Sequence, residues 1–250
     1  MKRLKCNAAS CLYVAAFVLF VLLLALPRTG KAQREKVKNL PTYDHKPIHW
    51  GFSLGLNTMD FLIHPSEAFL GNTQIYSVEN QKMAGFHLGP IANFRLGYYW
   101  DFRTLILLSF GQRNLEYMVR EDTAGSGSPF YKEEMEIEST FLEFPLLLKY
   151  KAARMNNFRP YIIGGATPKI DLAARKKIKE SELPQVRLKN WDIYYEAGLG
   201  ADFYLPYFKL SAEIKYGAGL MNVMRPDQTA YTGTLDKLQS RMLMFSFHFE

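Results

Sequence analysis

The chain has 250 residues, of which 48% are hydrophobic and 14% aromatic, and its formal net charge is +7. Both cysteines lie near the N-terminus, at positions 6 and 11, and no long apolar run follows residue 26. Beyond residue 11 the composition therefore excludes disulfides and thiolate metal sites, and it also excludes a bundle of membrane-spanning helices.

Residues 1–32 have the features of a cleaved secretory signal peptide. Basic residues at positions 2, 3 and 5 precede an apolar run over 11–26, and Gly30 and Ala32 place small residues before a cut after Ala32. The run is shorter than the ~20 residues of a spanning helix, and the alternative is a retained membrane anchor. Cleavage leaves 26 basic and 24 acidic residues, a net charge of +2, over about 218 residues. This balance argues against a nucleic-acid partner, and the length fits one domain.

Residues 33–48 are polar and are predicted to form a flexible periplasmic lead-in. Eight segments with a period of two follow it. In a strand, successive side chains point to opposite faces. From Phe208 onward the sequence FKLSAEIKYGAGL is apolar at every second position and polar or glycine between. Similar patterns predict the remaining strands over 49–57, 85–98, 102–113, 140–150, 160–172, 191–203 and 243–249.

Two features weaken the strand pattern. Leu105 and Leu107 interrupt the polar face of the third strand. Four prolines also fall within predicted strands, where each removes a ladder donor. They are Pro90, Pro145, Pro160 and Pro168.

The predicted connections alternate between long and short. Long loops are expected over 60–83, 117–135, 173–190 and 221–238, and short turns over 98–101, 151–157 and 205–207. Aromatic residues gather at the short-turn ends of the strands, as they do where a membrane meets water. They are Trp50, Tyr98, Tyr99, Trp100, Tyr150, Tyr204, Tyr207 and Phe249.

An even strand number with short periplasmic turns and long external loops is typical of outer-membrane barrels. We therefore predict an all-β fold over 49–250, a transmembrane antiparallel up-and-down β-barrel of about eight strands. Its place is the outer membrane of a Gram-negative cell, with a periplasmic N-terminus and membrane lipid as a partner. A soluble β fold is the alternative, but it does not explain why loop lengths and aromatics sort onto opposite ends.

Several of these segments resemble one family. HWGFSLGLNTMDF at 49–61, STFLEFPLLLKY at 139–150, NNFRPYIIGGA at 156–166 and the segment 194–223 are similar to the PorT/SprT proteins of Bacteroidetes. The resemblance covers nearly all of the predicted mature chain, through strand and turn sequences and not through catalytic motifs. It implies an outer-membrane barrel required for protein export by the type IX secretion system, with a possible link to gliding motility and with other secretion components as partners.

A barrel of eight strands has an interior that side chains can fill, so it is too narrow to pass a folded protein. The predicted inward faces carry charges of both signs, which must pair if they are buried. We predict a cross-lumen charge network, with an ion path as the alternative. Its members are Arg95, Arg103, Arg113, Glu143, Lys149, Lys169, Asp171, Asp192, Glu196, Asp202, Lys209, Glu213 and Lys215.

Two predicted loops carry opposite charge. They could be solvated loops, the commoner case for charge runs, or they could pair with each other or dock a partner. The acidic group is Glu116, Glu121, Asp122, Glu133, Glu134 and Glu136, and the basic group is Arg175, Lys176, Lys177 and Lys179.

The sequence offers little for catalysis. His87, His248, Ser109 and Ser246 are the histidines and serines that a membrane-embedded lipid A-modifying enzyme could use, but no acid is placed beside either histidine. There is no H-E-x-x-H, P-loop or dinucleotide-binding fingerprint. We therefore expect no enzyme activity, catalytic residue, cofactor, metal or small-molecule substrate. A surface-binding adhesin barrel and, less favoured, a lipid A-modifying enzyme remain the alternatives to the secretion role.

Overall fold

A computed structural model describes residues 37–66, 69, 75–120, 130–175, 188–225 and 233–250. The predicted signal peptide lies outside the described residues. Lys38–Glu250 forms a compact unit built on one antiparallel sheet. Its strands are β1 (Ile48–Pro65), β2 (Ile75–Arg95), β3 (Trp100–Leu105), β4 (Leu107–Arg120), β5 (Phe130–Glu143), β6 (Leu146–Lys151), β7 (Phe158–Asp171), β8 (Trp191–Tyr204), β9 (Lys209–Gly219) and β10 (Leu235–Phe249).

The sheet closes into a barrel, because β1 pairs with both β10 and β2. The ten strands make eight crossings of the barrel wall. Across the β3–β4 break, Leu105 pairs with Ile91 and Leu108 with Leu88, so the register is unchanged. The same holds across the β5–β6 break. The predicted up-and-down barrel of about eight strands is therefore confirmed. In the part of the chain that the structure describes, no helix has the length and apolarity to cross a membrane.

Pro90, Pro145 and Pro168 lie at or opposite the strand breaks, whereas Pro160 pairs with Ala201 inside β7. Pro90, Ile106, Phe144 and Pro168 occupy one row across four neighbouring crossings. The amide of Ile106 donates to the carbonyl of Pro90 at 3.2 Å, and the amide of Phe144 donates to that of Pro168 at 3.0 Å. Proline accepts a ladder bond but cannot give one, so each ladder is interrupted locally without losing its register.

The outer face of the barrel is a band of exposed apolar side chains, the face that the sequence pattern assigned to lipid. Trp100 and Tyr150 mark its short-turn end, with ring centroids 4.8 Å apart. Most other predicted belt aromatics are also exposed there, but Tyr204 points inward and is buried. The band includes Phe52, Leu54, Leu56, Phe86, Leu88, Ile106, Leu108, Leu146, Leu148, Ile162, Leu199, Ile214, Leu243 and Phe245.

Two predicted long loops are shorter than expected, because their strands continue. β1 runs to Pro65 and β2 starts at Ile75, within the predicted loop 60–83; β4 and β5 likewise take up most of 117–135. Here the polarity of the two faces inverts, since the inward residues are apolar and the outward ones polar. The extensions therefore lack the apolar outer face from which the strands were predicted. Their inward residues pack with residues of β10 and of the segments next to β8 and β9, and together they form an outer core cluster. Its members are Phe61, Ile75, Leu115, Tyr117, Val119, Met135, Leu188, Val223, Met224, Leu235 and Leu238.

The lead-in also differs from its prediction as a flexible segment. From Lys38 onward it is described and folded, and it forms the 3₁₀ turn Tyr43–His45. We call residues 38–47 the cap, because they contact the short-turn end of the barrel from inside its rim.

Candidate functional site

The lumen is filled by paired charges. Among the described residues, eight basic and eight acidic side chains are buried there, so the formal charges balance. Burial of this many ions is tolerable only where each one finds a counter-ion or hydrogen bonds. They are Arg103, Arg113, Lys149, Lys151, Arg159, Lys169, Lys209, Lys215, Asp101, Glu143, Asp171, Asp192, Glu196, Asp202, Glu213 and Glu250.

The level nearest the short turns is centred on Arg103. Its guanidinium donates to Glu213 at 2.8 Å and to Glu250 at 3.2 Å. Lys209 also contacts Glu250 at 2.8 Å, and the hydroxyl of Tyr161 donates to Glu213 at 2.8 Å. The last strand is thereby tied across the lumen to β3.

Two further pairs lie at this level. The ammonium of Lys149 donates to both carboxylate oxygens of Asp202 at 2.8 Å, and it stands 3.6 Å above the Tyr161 ring. Lys151 meets Asp101 at 2.5 Å. The sequence analysis left out Asp101, Lys151, Arg159 and Glu250. Continuing the alternation to the strand ends would have found them.

The middle of the lumen is a chain of alternating charges. Lys169 lies 3.1 Å from Glu143 and 3.6 Å from Glu196. Lys215 lies 3.1 Å from Glu196 and 3.7 Å from Glu213. Since Glu213 also contacts Arg103, the chain joins the middle level to the short-turn level.

Arg113 forms the outermost level. It donates to Asp171 at 3.0 Å and to the hydroxyl of Ser240 at 2.8 Å, and its guanidinium lies 4.5 Å from the centroid of the Phe61 ring. Asp192 is also buried, and it accepts the backbone amides of Ile193 and Met221. Beyond Arg113 the outer core cluster fills the barrel with apolar side chains.

Arg95 departs from the predicted network. It is only half-buried, and its Nε donates to the carbonyl of Gly97 in the adjoining turn at 3.4 Å. Because β2 ends at Arg95, its side chain reaches the turn instead of the lumen.

Two apolar clusters share the lumen with the charged residues. Leu105 and Leu107, which broke the predicted polar face, point inward and pack with Ile91, Leu147, Tyr161 and Ile163. A second cluster contains Met59, Phe141, Tyr194, Met242 and Met244. The interruption in the sequence pattern is therefore part of the lumen filling.

The cap closes the short-turn end through Asp44. Its carboxylate accepts the Tyr204 hydroxyl at 2.8 Å and guanidinium groups of Arg154 and Arg159 at 3.2 Å each. Burial by itself raises the pKa of Asp44, but the Tyr204 hydrogen bond and the two arginines outweigh it and hold that pKa below its usual value. Asp44 thus stays ionised at neutral pH.

Tyr43 joins the cap to the first and last strands of the barrel. Its ring stacks on His49 of β1 with centroids 4.0 Å apart, and its hydroxyl donates to Glu250 at 3.3 Å. Burial and the Glu250 carboxylate raise the pKa of Tyr43, so the phenol remains neutral. Asn39 adds a contact by donating its side-chain amide to the carbonyl of Tyr204 at 2.9 Å.

The structure brings one histidine and one serine together. Nε2 of His87 lies 2.9 Å from Oγ of Ser246, and both residues are buried in the lumen. Nδ1 of His87 has no hydrogen-bond partner among the described residues, so no acid orients the ring as a catalytic base requires. His248 contacts Glu213 at 3.4 Å instead.

The charged-loop residues divide between strands and undescribed segments. Glu116, Glu133, Glu134 and Glu136 lie on β4 and β5, where Lys132 meets Glu116 at 2.8 Å and Asn114 donates to Glu134 at 2.8 Å. The 3₁₀ turn Ala173–Arg175 contains Arg175, but its side chain is not described. Glu121, Asp122, Lys176, Lys177 and Lys179 lie outside the described residues.

Metal binding has no support from the residues that the structure describes, because no group of three or more His, Cys, Asp or Glu side chains there could hold an ion.

Comparisons with solved structures give three examples of proteins to which the chain is similar. The chain is similar to neisserial surface protein A, with 10% identity and a TM-score of 0.38 over 82% of this chain and 99% of that one. It is similar to OprG from Pseudomonas aeruginosa, with 13% identity and a TM-score of 0.39 over 81% and 91%. It is also similar to Ail of Yersinia pestis, solved with the heparin analogue sucrose octasulfate, with 13% identity and a TM-score of 0.35 over 80% and 96%. None of the curated proteins matches.

A family model decides the classification. The model described as an outer membrane protein beta-barrel domain matches residues 31–225, which is most of the 250-residue chain. The closed barrel with its exposed apolar band is the structure that such a domain needs to span lipid. The chain belongs to the outer membrane protein beta-barrel domain family, and its place is the outer membrane.

Proposed function

We propose that this barrel is a non-enzymatic component required for protein export by the type IX secretion system. It acts as an accessory or assembly subunit, and another protein forms the pore. The proposal rests on the similarity of the segments at 49–61, 139–150, 156–166 and 194–223 to the PorT/SprT proteins. Other secretion components are its partners, and the link to gliding motility belongs to the same proposal.

The filled lumen is the observation that carries the accessory role. Lys169, Glu196, Lys215 and Glu213 form a continuous chain of contacts across its middle. The outer core cluster fills one end and the cap closes the other. A barrel filled in this way has no room for a polypeptide, so its contribution to export comes through its outer surfaces.

The non-enzymatic part of the proposal is supported by the surroundings of His87 and Ser246. Both face the sealed lumen and not the lipid band. A lipid substrate therefore has no route to this pair.

A surface-binding role is the second candidate, and the strand extensions favour it. β4 and β5 stay paired from the lipid band out to Arg120 and Phe130. They present a polar outer face that includes Glu116, Glu134 and Glu136. A rigid projection of this kind offers a surface to a partner or to a foreign ligand.

Deleting the gene distinguishes the roles. Loss of secretion of many substrates supports the proposed function. Altered attachment with normal secretion supports the adhesin, and altered lipid A with normal secretion supports the enzyme. Complementation with the unaltered chain must restore the lost property in each case.

Co-purification from detergent-solubilised membranes tests the docking hypothesis. Lys176→Glu with Lys177→Glu is expected to reduce recovery of other secretion components, because the reversal removes a basic surface. The control is Arg120→Glu with Lys132→Glu, which makes the same charge change on β4 and β5. Unchanged recovery with the first pair would remove these lysines from the docking surface.

A further inference from the structure

One wall of the lumen is polar but uncharged. It is built from five inward-facing residues on β1, β2, β4 and β10, each no more than 2% exposed. The register brings them together, because Ser53 pairs with His248 and His87 pairs with Ser109. We call this set the polar wall: Ser53, Asn57, His87, Ser109 and His248.

Most polar atoms of this wall have no hydrogen-bond partner among the described residues. They include both side-chain atoms of Asn57, the hydroxyls of Ser53 and Ser109, and Nδ1 of both histidines. Buried polar groups in native proteins are almost always satisfied, by protein or by ordered water. Five neighbouring side chains in this condition therefore point to a common ligand.

The charged residues across the lumen do not supply that ligand. Lys169 and Lys215 are committed to Glu143 and Glu196. The lumen as a whole is already charge-balanced, so an additional ion would lack a counter-ion. The wall mixes donors, such as the Asn57 amide nitrogen, with acceptors, such as its oxygen. Water uses both kinds of group, whereas an ion uses only one.

Glycines set the spacing of the wall. Three of the five members pair with a glycine of a neighbouring strand: Ser53 with Gly89, Asn57 with Gly85 and His87 with Gly55. Inward residues along a strand are about 6.6 Å apart, and two hydrogen bonds through one oxygen span about 5.6 Å. One water molecule is therefore too short to join neighbouring inward positions of a strand, and a cluster of two or more is needed to connect members of the wall.

Apolar side chains enclose the wall on both sides. Toward the long loops, Met59 and Met244 belong to an apolar cluster. Toward the short turns, Ile91 and Leu107 belong to another. Empty cavities are apolar, while buried water occupies polar sites with several partners. The polar wall satisfies the second condition.

We infer that the polar wall binds a cluster of ordered water molecules, sealed within the membrane-spanning part of the barrel. At His248 the site adjoins the ion-paired half of the lumen, because that ring lies 3.4 Å from Glu213. It does not depend on the proposed secretion role.

Water-to-protein magnetisation transfer in solid-state NMR tests this inference on the full barrel in lipid bilayers. We expect transfer to the Asn57 side-chain amide and to the His248 ring. The controls are Ser139 and Ser211, equally buried hydroxyls that are bonded to Arg113 and Asp202; these should show no transfer. The exposed ring of His45 should show it.

Two variants sharpen the test. Ser109→Ala removes one water partner with little change of shape and should weaken transfer to the His87 ring by at least twofold. Asn57→Leu should abolish the local signal if the variant folds. Absence of transfer to Asn57 and His248, with transfer to His45 intact, would overturn the inference. A signal at the wall that changes when NaCl is replaced by another salt would assign an ion and overturn it as well.

Discussion

Neutralising Glu213 tests whether the lumen network stabilises the barrel. This carboxylate has four neighbours: Arg103 at 2.8 Å, the Tyr161 hydroxyl at 2.8 Å, Lys215 at 3.7 Å and His248 at 3.4 Å. Glu213→Gln keeps the side-chain shape but leaves the lumen with one uncompensated positive charge.

The expected loss of unfolding free energy follows from the burial of Glu213 and from the partners that its neighbours keep. The side chains of Glu213 and Arg103 are both fully buried, and breaking such a pair costs about 3–5 kcal/mol. Arg103 keeps Glu250, and Lys215 keeps Glu196. We therefore expect the lower end of the range, about 3 kcal/mol of unfolding free energy.

Urea unfolding in lipid vesicles, followed by tryptophan fluorescence, measures this loss. Arg103→Met in the same chain restores the charge balance, so the double variant should be more stable than the sum of the two single changes predicts. Lys132→Gln is the surface control. The Lys132 side chain is 55% exposed in its pair with Glu116, and such pairs contribute about 0–1 kcal/mol. A Glu213→Gln loss no larger than the control loss would refute a stabilising role for the network.

Three other changes probe the cap, the wall and the lipid face. Asp44 has a lowered pKa in the folded cap, so its contribution to the stability of the cap is complete above the unfolded pKa of about 3.9 and is lost as the pH falls below that value. Limited proteolysis of residues 33–47 should therefore accelerate below pH ~4. In the Asp44→Asn variant, proteolysis should be faster at neutral pH and should not depend on pH in this way. Gly55→Val places a side chain against the carbonyl of Phe245 and the His87 ring. This should lower the unfolding free energy in the same urea assay by about 1–3 kcal/mol. An unchanged urea midpoint would contradict the close packing of β1 on β10. Leu199→Arg puts a charge on an exposed outer residue in the middle of β8, which should lower the unfolding free energy in a bilayer by about 2–4 kcal/mol. Glu116→Arg, beyond the lipid band, should lower it little. Equal losses of unfolding free energy would argue against lipid contact at Leu199.

The strands that face lipid were predictable because two solvents act on them at once. In β9, Lys209, Glu213 and Lys215 must point inward where Ile214 points outward, and this alternation is visible in the sequence alone. Beyond the lipid the outer face meets water, and the pattern inverts. Tyr117 and Val119 are then the buried residues, so a search tuned to lipid ends the strand too early.

The cap was not predictable from its own residues. The segment around Tyr43 and Asp44 is short and polar and carries no periodic pattern. It folds because Arg154, Arg159 and Tyr204 converge on one carboxylate from distant parts of the chain. Tyr204 was predicted in the outer aromatic belt from its position at the strand end, although the alternation that turns Asp202 inward also turns Tyr204 into the lumen.

The sequence by itself determined the barrel and the identity of most lumen charges, because alternation along a strand depends only on local backbone geometry and on which solvent each face meets. Only the tertiary structure decided which charge pairs with which, that Pro90 and Pro168 fall into one row, and which neutral wall is left for water. These depend on strand register around a closed barrel, and residues as distant as Arg103 and Glu250 meet only when β1 pairs with β10.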